Sequence, residues 1–177
     1  MEKGRHRMSS TPFLTLDEVD ALAARAHAGQ YDRIGVPYVE HVRAVAAGVA
    51  PFGTGLRMAA LLHDVLEDTP LTAGELLAAG IPAAVVATVR RVTRRPGTDY
   101  RTMLLDVATD HAATLVKIAD NAHNSRADRA ALLPAADRER LAERYRAARA
   151  VLWPAVAAAD VRTVVGLVNP DLLAELD

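Results

Sequence analysis

The stretch that decides the fold is Ala59-Ala60-Leu61-Leu62-His63-Asp64-Val65-Leu66-Glu67-Asp68-Thr69, where ionisable residues interrupt an apolar helical run. In a helix, His63 and Glu67 share one face, while His63 and Asp64 point about 100° apart around the axis. Burying these charges among apolar side chains costs several kcal/mol unless they are paired or bound to a metal. We therefore predict that His63 and Asp64 bind a metal ion, and that Glu67 and Asp68 manage protons beside it.

The spacing of apolar residues predicts an all-α fold. They recur every three or four residues along nearly the whole chain, and no alternating strand pattern is convincing. A length of 177 residues suits one domain with a sizeable core. We predict a disordered or loosely ordered segment at 1–14, a helical bundle at 15–153, and a helical extension at 154–177 packed on the same domain.

Local signals predict where several helices begin. Thr15 with Glu18, and Thr72 with Glu75, have the spacing of capping boxes. The break at 51–55 predicts a new helix that runs through His63. A long helix is predicted from Pro134 to Trp153, with its arginines and glutamates forming an exposed, salt-bridged face.

Composition narrows the chemistry. The chain has Lys+Arg 21 against Asp+Glu 22, so no global field indicates a nucleic-acid partner or an anionic membrane. It has no cysteine, which restricts metal ligands to His, Asp, Glu or Asn and favours manganese, magnesium, iron or zinc. The polar segment 1–12 lacks the apolar core of a signal peptide, so we expect a cytoplasmic protein, for which a homo-oligomer is possible.

Further candidate ligands lie on other predicted helices. They are His41 and Asp120, the latter within Val116-Lys117-Ile118-Ala119-Asp120-Asn121-Ala122-His123-Asn124. Taken singly, each histidine is explained more simply as a hydrogen-bonded core residue. The order H…HD…D on separate helices is what favours a shared metal site.

In that order and context, the pattern resembles the HD-domain metal phosphohydrolases, and more closely the hydrolase domain of the RelA/SpoT type, including the small alarmone hydrolases. The resemblance extends over about 21–126. It rests on segments that occur in the same order as in that family, namely His27-Ala28-Gly29-Gln30, Gly35-Val36-Pro37-Tyr38-Val39-Glu40-His41, 59–69, Val92-Thr93 and 116–124.

The resemblance implies an HD-domain helical bundle and one divalent metal, normally manganese, whose ligands are His41, His63, Asp64 and Asp120. Iron, zinc and magnesium are the alternatives. Glu67 and Asp68 match the catalytic acidic pair of the family, and Asn124 matches a residue that contacts substrate. Arg94 and Lys117 are the cationic candidates for contacting the substrate phosphates, although an exposed or structural role remains an alternative for both. Arg33 is a further candidate for contacting the substrate, because it could stack on a purine base.

The implied enzyme is a phosphohydrolase similar to guanosine-3′,5′-bis(diphosphate) 3′-pyrophosphohydrolase. It would remove the 3′-pyrophosphate from a (p)ppGpp-like or (p)ppApp-like alarmone with water activated at the metal. Alternatives are a phosphatase acting on NADPH or a nucleoside phosphomonoester, and a nucleotide-binding protein without catalysis.

One loop departs from the family pattern. Alarmone hydrolases usually carry Arg-Lys followed by a small polar residue after Gly-Gln, whereas this chain reads Tyr31-Asp32-Arg33-Ile34. An acid replaces the first base, and an apolar residue replaces the polar one. We expect the metal chemistry to be unaffected and the discrimination for guanine to be weaker.

Overall fold

The computed structural model describes residues 13–176 as an all-α structure, as predicted. Within that range the β-type pairing is limited to one isolated bridge between Tyr31 and Pro37. The helices are α1 (Leu16–Ala26), α2 (Tyr38–Gly48), α3 (Thr54–Leu61), α4 (Val65–Asp68), α5 (Ala73–Ala78), α6 (Ala83–Val92), α7 (Tyr100–Val107), α8 (His111–Asn124), α9 (Ala127–Ala131), α10 (Ala135–Leu152) and α11 (Ala158–Val168). Short 3₁₀ turns occupy Ala50–Phe52, Trp153–Ala155 and Pro170–Glu175.

Both predicted capping boxes are present. The Thr15 hydroxyl accepts from the backbone N–H of Glu18, whose carboxylate accepts from the backbone N–H of Thr15 at 2.7 Å. Thr72 and Glu75 repeat this exchange at the start of α5. Each box satisfies backbone donors that a helix start leaves without partners.

The prediction of one continuous helix through His63 is wrong. The helix α3 ends at Leu61, and His63 and Asp64 lie in a turn before α4 begins at Val65. The backbone there forms a hydrogen bond between residues three apart in sequence, from the N–H of Val65 to the carbonyl of Leu62 at 3.0 Å. The His63 ring also contacts the Ala60 carbonyl, at the end of α3, with 2.8 Å between Nδ1 and the oxygen. Local side-chain bonding of this kind competes with helical bonding, and it lets adjacent side chains point to one site.

The core is centred on α8, which packs against α2, α6, α10 and α11. Its side chains Leu115, Val116, Ile118 and Ala119 have no solvent exposure. The helices α2 and α11 approach each other closely at Gly48, where an added Cβ would overlap the Val168 side chain. This packing fixes α2 and α8, the two helices that carry His41 and Asp120.

Beyond α10, the chain folds back onto the bundle. The helix α11 packs on α8 and α2, and the final 3₁₀ turn contacts α11. Arg149 of α10 is buried, and its guanidinium binds the Glu175 carboxylate through Nε at 2.9 Å and Nη2 at 2.8 Å. Most of the predicted loose segment 1–14 lies outside the described residues. None of the helices described is long and apolar enough to cross a membrane.

Candidate metal centre and substrate cleft

Three of the predicted ligands meet at one point. Donor atoms of His41, His63 and Asp120 all lie within 4.8 Å of one another, which is close enough for one ion to contact each. They come from α2, from the turn after α3 and from α8. The packing of α2 against α8 therefore builds the cluster.

His63 has the surroundings of a metal-binding imidazole. Its ring is fully buried, and Nδ1 faces the Ala60 carbonyl at 2.8 Å, so this nitrogen carries the proton and donates. The other nitrogen, Nε2, is buried and lies 2.9 Å from Oδ2 of Asp64 without forming a hydrogen bond within 13–176. A buried imidazole nitrogen that faces a carboxylate in this way is suited to binding a divalent cation that both groups contact.

His41 is oriented by His123, which was not predicted as a site residue. Its Nδ1 lies 2.8 Å from Nδ1 of His123, and both rings are buried. Burial is the main cause that lowers the pKa of His123 to about 3. A neutral His123 accepts the Nδ1 proton of His41, which leaves the lone pair on Nε2 free for a cation.

Asp64 lies beside the three-residue cluster. Its Oδ2 is 2.9 Å from Nε2 of His63 and 3.7 Å from Nε2 of His41. Burial opposes ionisation, but the imidazoles override it and hold the pKa of Asp64 below its usual range. The Tyr38 hydroxyl donates to the same oxygen at 2.6 Å. Tyr38 was not predicted as a site residue, although its position one turn before His41 on α2 is a usable signal.

Asp120 is held from both sides. Lys117 pairs with Oδ2, and the Asn124 amide donates to Oδ1 at 2.6 Å. Burial raises the pKa of Asp120, but Lys117 and His41 lower it well below its usual value. Lys117 and Asn124, both predicted to contact substrate, thus also position a candidate ligand.

The acidic pair lies outside the ligand cluster. The carboxylate of Glu67 accepts from the backbone N–H of Arg94 at 3.0 Å, and the Arg94 side chain comes within 3.9 Å. Asp68 is held through its backbone carbonyl, which accepts from the Gln30 amide at 2.8 Å. Burial, and then the negative charge of Asp64, raise the pKa of the Asp68 side chain.

A cleft of about 360 Å³ opens above the cluster. It is lined by every predicted site residue except His63, which lies beneath the others; these are Arg33, His41, Asp64, Glu67, Asp68, Arg94, Lys117, Asp120 and Asn124. Residues of α7, α9 and α10 also line it, among them Tyr100, Arg129, Arg144 and Tyr145. The cleft therefore combines a carboxylate-rich floor with arginines on its walls.

Asp32, the departure from the family pattern, has partners within the chain. Its Oδ1 accepts from the backbone N–H groups of Ile34 at 3.0 Å and Val36 at 2.9 Å. Its Oδ2 pairs with Arg129 of α9 at 2.9 Å, where both side chains are largely buried. Asp32 therefore stabilises the conformation of its own loop, and Arg129 compensates its negative charge within the chain.

Comparisons with known proteins support the family resemblance, although no family model matches the chain. A guanosine-3′,5′-bis(diphosphate) 3′-pyrophosphohydrolase of Haemophilus influenzae is 37% identical over 118 residues, or 59% of this chain and 17% of that protein. The bifunctional (p)ppGpp synthase/hydrolase SpoT of Escherichia coli is 33% identical over 117 residues, with the same coverage. The chain thus spans about a sixth of the length of these relatives.

A solved structure shares the fold over its full extent. It is a metazoan ortholog of SpoT, described as hydrolysing ppGpp, with a TM-score of 0.69 and 22% identity over 94% of this chain and 98% of that one. The chain therefore has the same fold as this structure, and it resembles the SpoT hydrolase domain in sequence, as the motifs predicted.

Proposed function

We propose that this chain is a metal-dependent phosphohydrolase that removes the 3′-pyrophosphate from a (p)ppGpp-like or (p)ppApp-like alarmone. The observation that carries the proposal is the cluster of His41, His63 and Asp120 beside a cleft that is lined by Glu67 and Asp68. The similarity to proteins named as 3′-pyrophosphohydrolases supports the choice of reaction.

The ligands we assign to the ion are His41, His63, Asp64 and Asp120. Nitrogen and carboxylate donors suit manganese, our first choice, as well as iron, zinc or magnesium. When bound, such an ion lowers the pKa of water and offsets charge that develops on phosphorus. The Nδ1 atom of His63 contacts the Ala60 carbonyl and the Nδ1 atom of His41 contacts His123, so we assign the Nε2 atoms of both rings as the ligating nitrogens.

Glu67 and Asp68 each take part in a different proton transfer. Glu67, fixed by the Arg94 backbone N–H, accepts the proton of the attacking water. Asp68 has a raised pKa, so it is the better proton donor to the leaving oxygen. The guanidinium groups of Arg33 and Arg94 line the cleft and bind phosphate oxygens.

A nucleotide panel in the presence of manganese tests the proposal. Release of pyrophosphate from guanosine or adenosine 3′-diphosphates is the expected result. Release of inorganic phosphate from NADPH or a 3′-phosphomonoester would instead make the protein a phosphatase. Binding with no release from any nucleotide would make it a binding module and overturn the proposed reaction.

A further inference from the structure

Arg144 differs from the other arginines of α10. Arg140 binds Asp137 at 2.7 Å, and Arg146 binds Glu143 at 3.0 Å. Arg138 donates to backbone carbonyls, and Arg149 binds Glu175. Within 13–176, Arg144 has neither an ion pair nor a hydrogen bond, so all its N–H donors remain available.

The Arg144 guanidinium is nevertheless held in place. Its central carbon lies 3.9 Å from the centre of the Tyr100 ring, and both side chains line the cleft. Stacking of this kind restrains a flexible side chain but leaves the edge of the guanidinium free for anions. An arginine that is positioned but lacks an acidic partner is suited to binding a phosphate group.

Neither Arg144 nor Tyr100 belongs to the cluster of candidate ligands, and within the described residues neither forms a hydrogen bond or an ion pair with them. Lys117, which pairs with the candidate ligand Asp120, lines the same cleft. A phosphate bound by Arg144 would be a different group from the one bound at the metal.

We infer that Arg144, stacked on Tyr100, binds a second phosphate group of the substrate, remote from the one that is cleaved. For a nucleoside cleaved at its 3′ side, this group is the 5′-diphosphate. The inference rests on the proposed function and deepens it. It assigns to this pair a preference for nucleotides phosphorylated at both ends.

The test compares guanosine 5′-diphosphate 3′-diphosphate with guanosine 3′-diphosphate, which lacks the distal group. For Arg144→Gln we expect the ratio of the two KM values to shift roughly tenfold against the longer substrate, as for loss of a charge-assisted hydrogen bond. The kcat values should stay within about twofold, because no group near the metal changes. Tyr100→Leu removes the stacking surface and should shift the ratio in the same direction.

Arg146→Gln is the matched control, because Arg146 lies on the same helix, outside the cleft, and binds Glu143. It should leave the ratio unchanged. Equal changes in KM for both substrates, or no change in Arg144→Gln, would overturn the inference. If the wild type hydrolyses neither nucleotide, the proposed function fails. The role of Arg144 is then tested by the ratio of the dissociation constants of the two nucleotides. If neither nucleotide binds, the role proposed for Arg144 is refuted.

Discussion

At the scale of single residues, Glu67 allows the role of a catalytic base to be tested separately from metal binding. Its carboxylate is held by the backbone N–H of Arg94 and is not part of the His41, His63 and Asp120 cluster. A glutamine can accept the same hydrogen bond through its amide oxygen but cannot take a proton from water. The two roles are therefore separable by one substitution.

For Glu67→Gln we expect kcat to fall on the order of 10²- to 10⁴-fold, the usual cost of losing a general base. Metal content should stay at the wild-type level, and KM should not rise, because a negative charge beside an anionic substrate is removed. Metal analysis and steady-state kinetics at one manganese concentration check this. Unchanged turnover, or loss of the metal together with activity, would refute the role given to Glu67.

The partners of Asp32 support a prediction about the nucleobase. Both carboxylate oxygens are occupied, by the backbone N–H groups of Ile34 and Val36 and by Arg129. Asp32 therefore offers no free acceptor to the N–H groups that distinguish guanine from adenine. We expect kcat/KM for guanosine and adenosine alarmones to agree within about tenfold, or ~1.4 kcal/mol. A preference for guanosine above a hundredfold would show that another group, such as Arg129, reads the base.

At the scale of elements, the helix break at His63 matters most to the site. Apolar periodicity predicts a continuous helix through 59–68. It misses the break because side-chain spacing does not reveal where backbone hydrogen bonds change from residues four apart to residues three apart. The bond of the His63 ring to the Ala60 carbonyl accompanies that change. As a result, His63 and Asp64 contact each other and the ligands of neighbouring helices.

The close approach of α2 and α11 leads to a prediction about stability. Gly48→Ala should lower the free energy of unfolding by about 1–3 kcal/mol, because the new methyl group would overlap the Val168 side chain. Gly166→Ala on α11 is the control, since its nearest non-local neighbour would be Leu173 at 4.0 Å. That change should stabilise the protein by roughly 0.5–1 kcal/mol through helix propensity. Urea unfolding measures both, and equal effects would contradict the packing argument.

At the scale of the whole molecule, a bound metal would join parts of the chain that are far apart in sequence. The ligand cluster draws on α2, the turn at 62–64 and α8. An ion bound only by the folded protein stabilises it, by about 2.7 kcal/mol at a hundredfold excess over Kd. We therefore expect chelation to lower the Tm of the wild-type protein.

Asp64→Ala should lose most of the metal and most of the Tm shift on chelation. Asp106→Asn is a suitable control, because the exposed Asp106 carboxylate pairs with Arg91 at the surface and lies outside the cleft. It should keep both the metal and the shift. Elemental analysis and thermal unfolding check the outcome, and equal metal content in the wild type and Asp64→Ala would reject Asp64 as a ligand.

The sequence by itself determined the all-α class, the capping boxes at Thr15 and Thr72, and the family resemblance. These properties depend on spacings of three or four residues and on the order of motifs, both of which can be read along the chain. The absence of cysteine likewise limited the metal ligands to nitrogen and oxygen donors.

Only the tertiary structure decided which side chains meet across the bundle. His41 and His123 are 82 residues apart in sequence, yet their Nδ1 atoms are 2.8 Å apart because α2 packs on α8. The Asp32–Arg129 ion pair and the stacking of Arg144 on Tyr100 arise in the same way. Local propensity sets each helix, but partners distant in sequence are chosen by how the helices pack, and no periodic pattern encodes that choice.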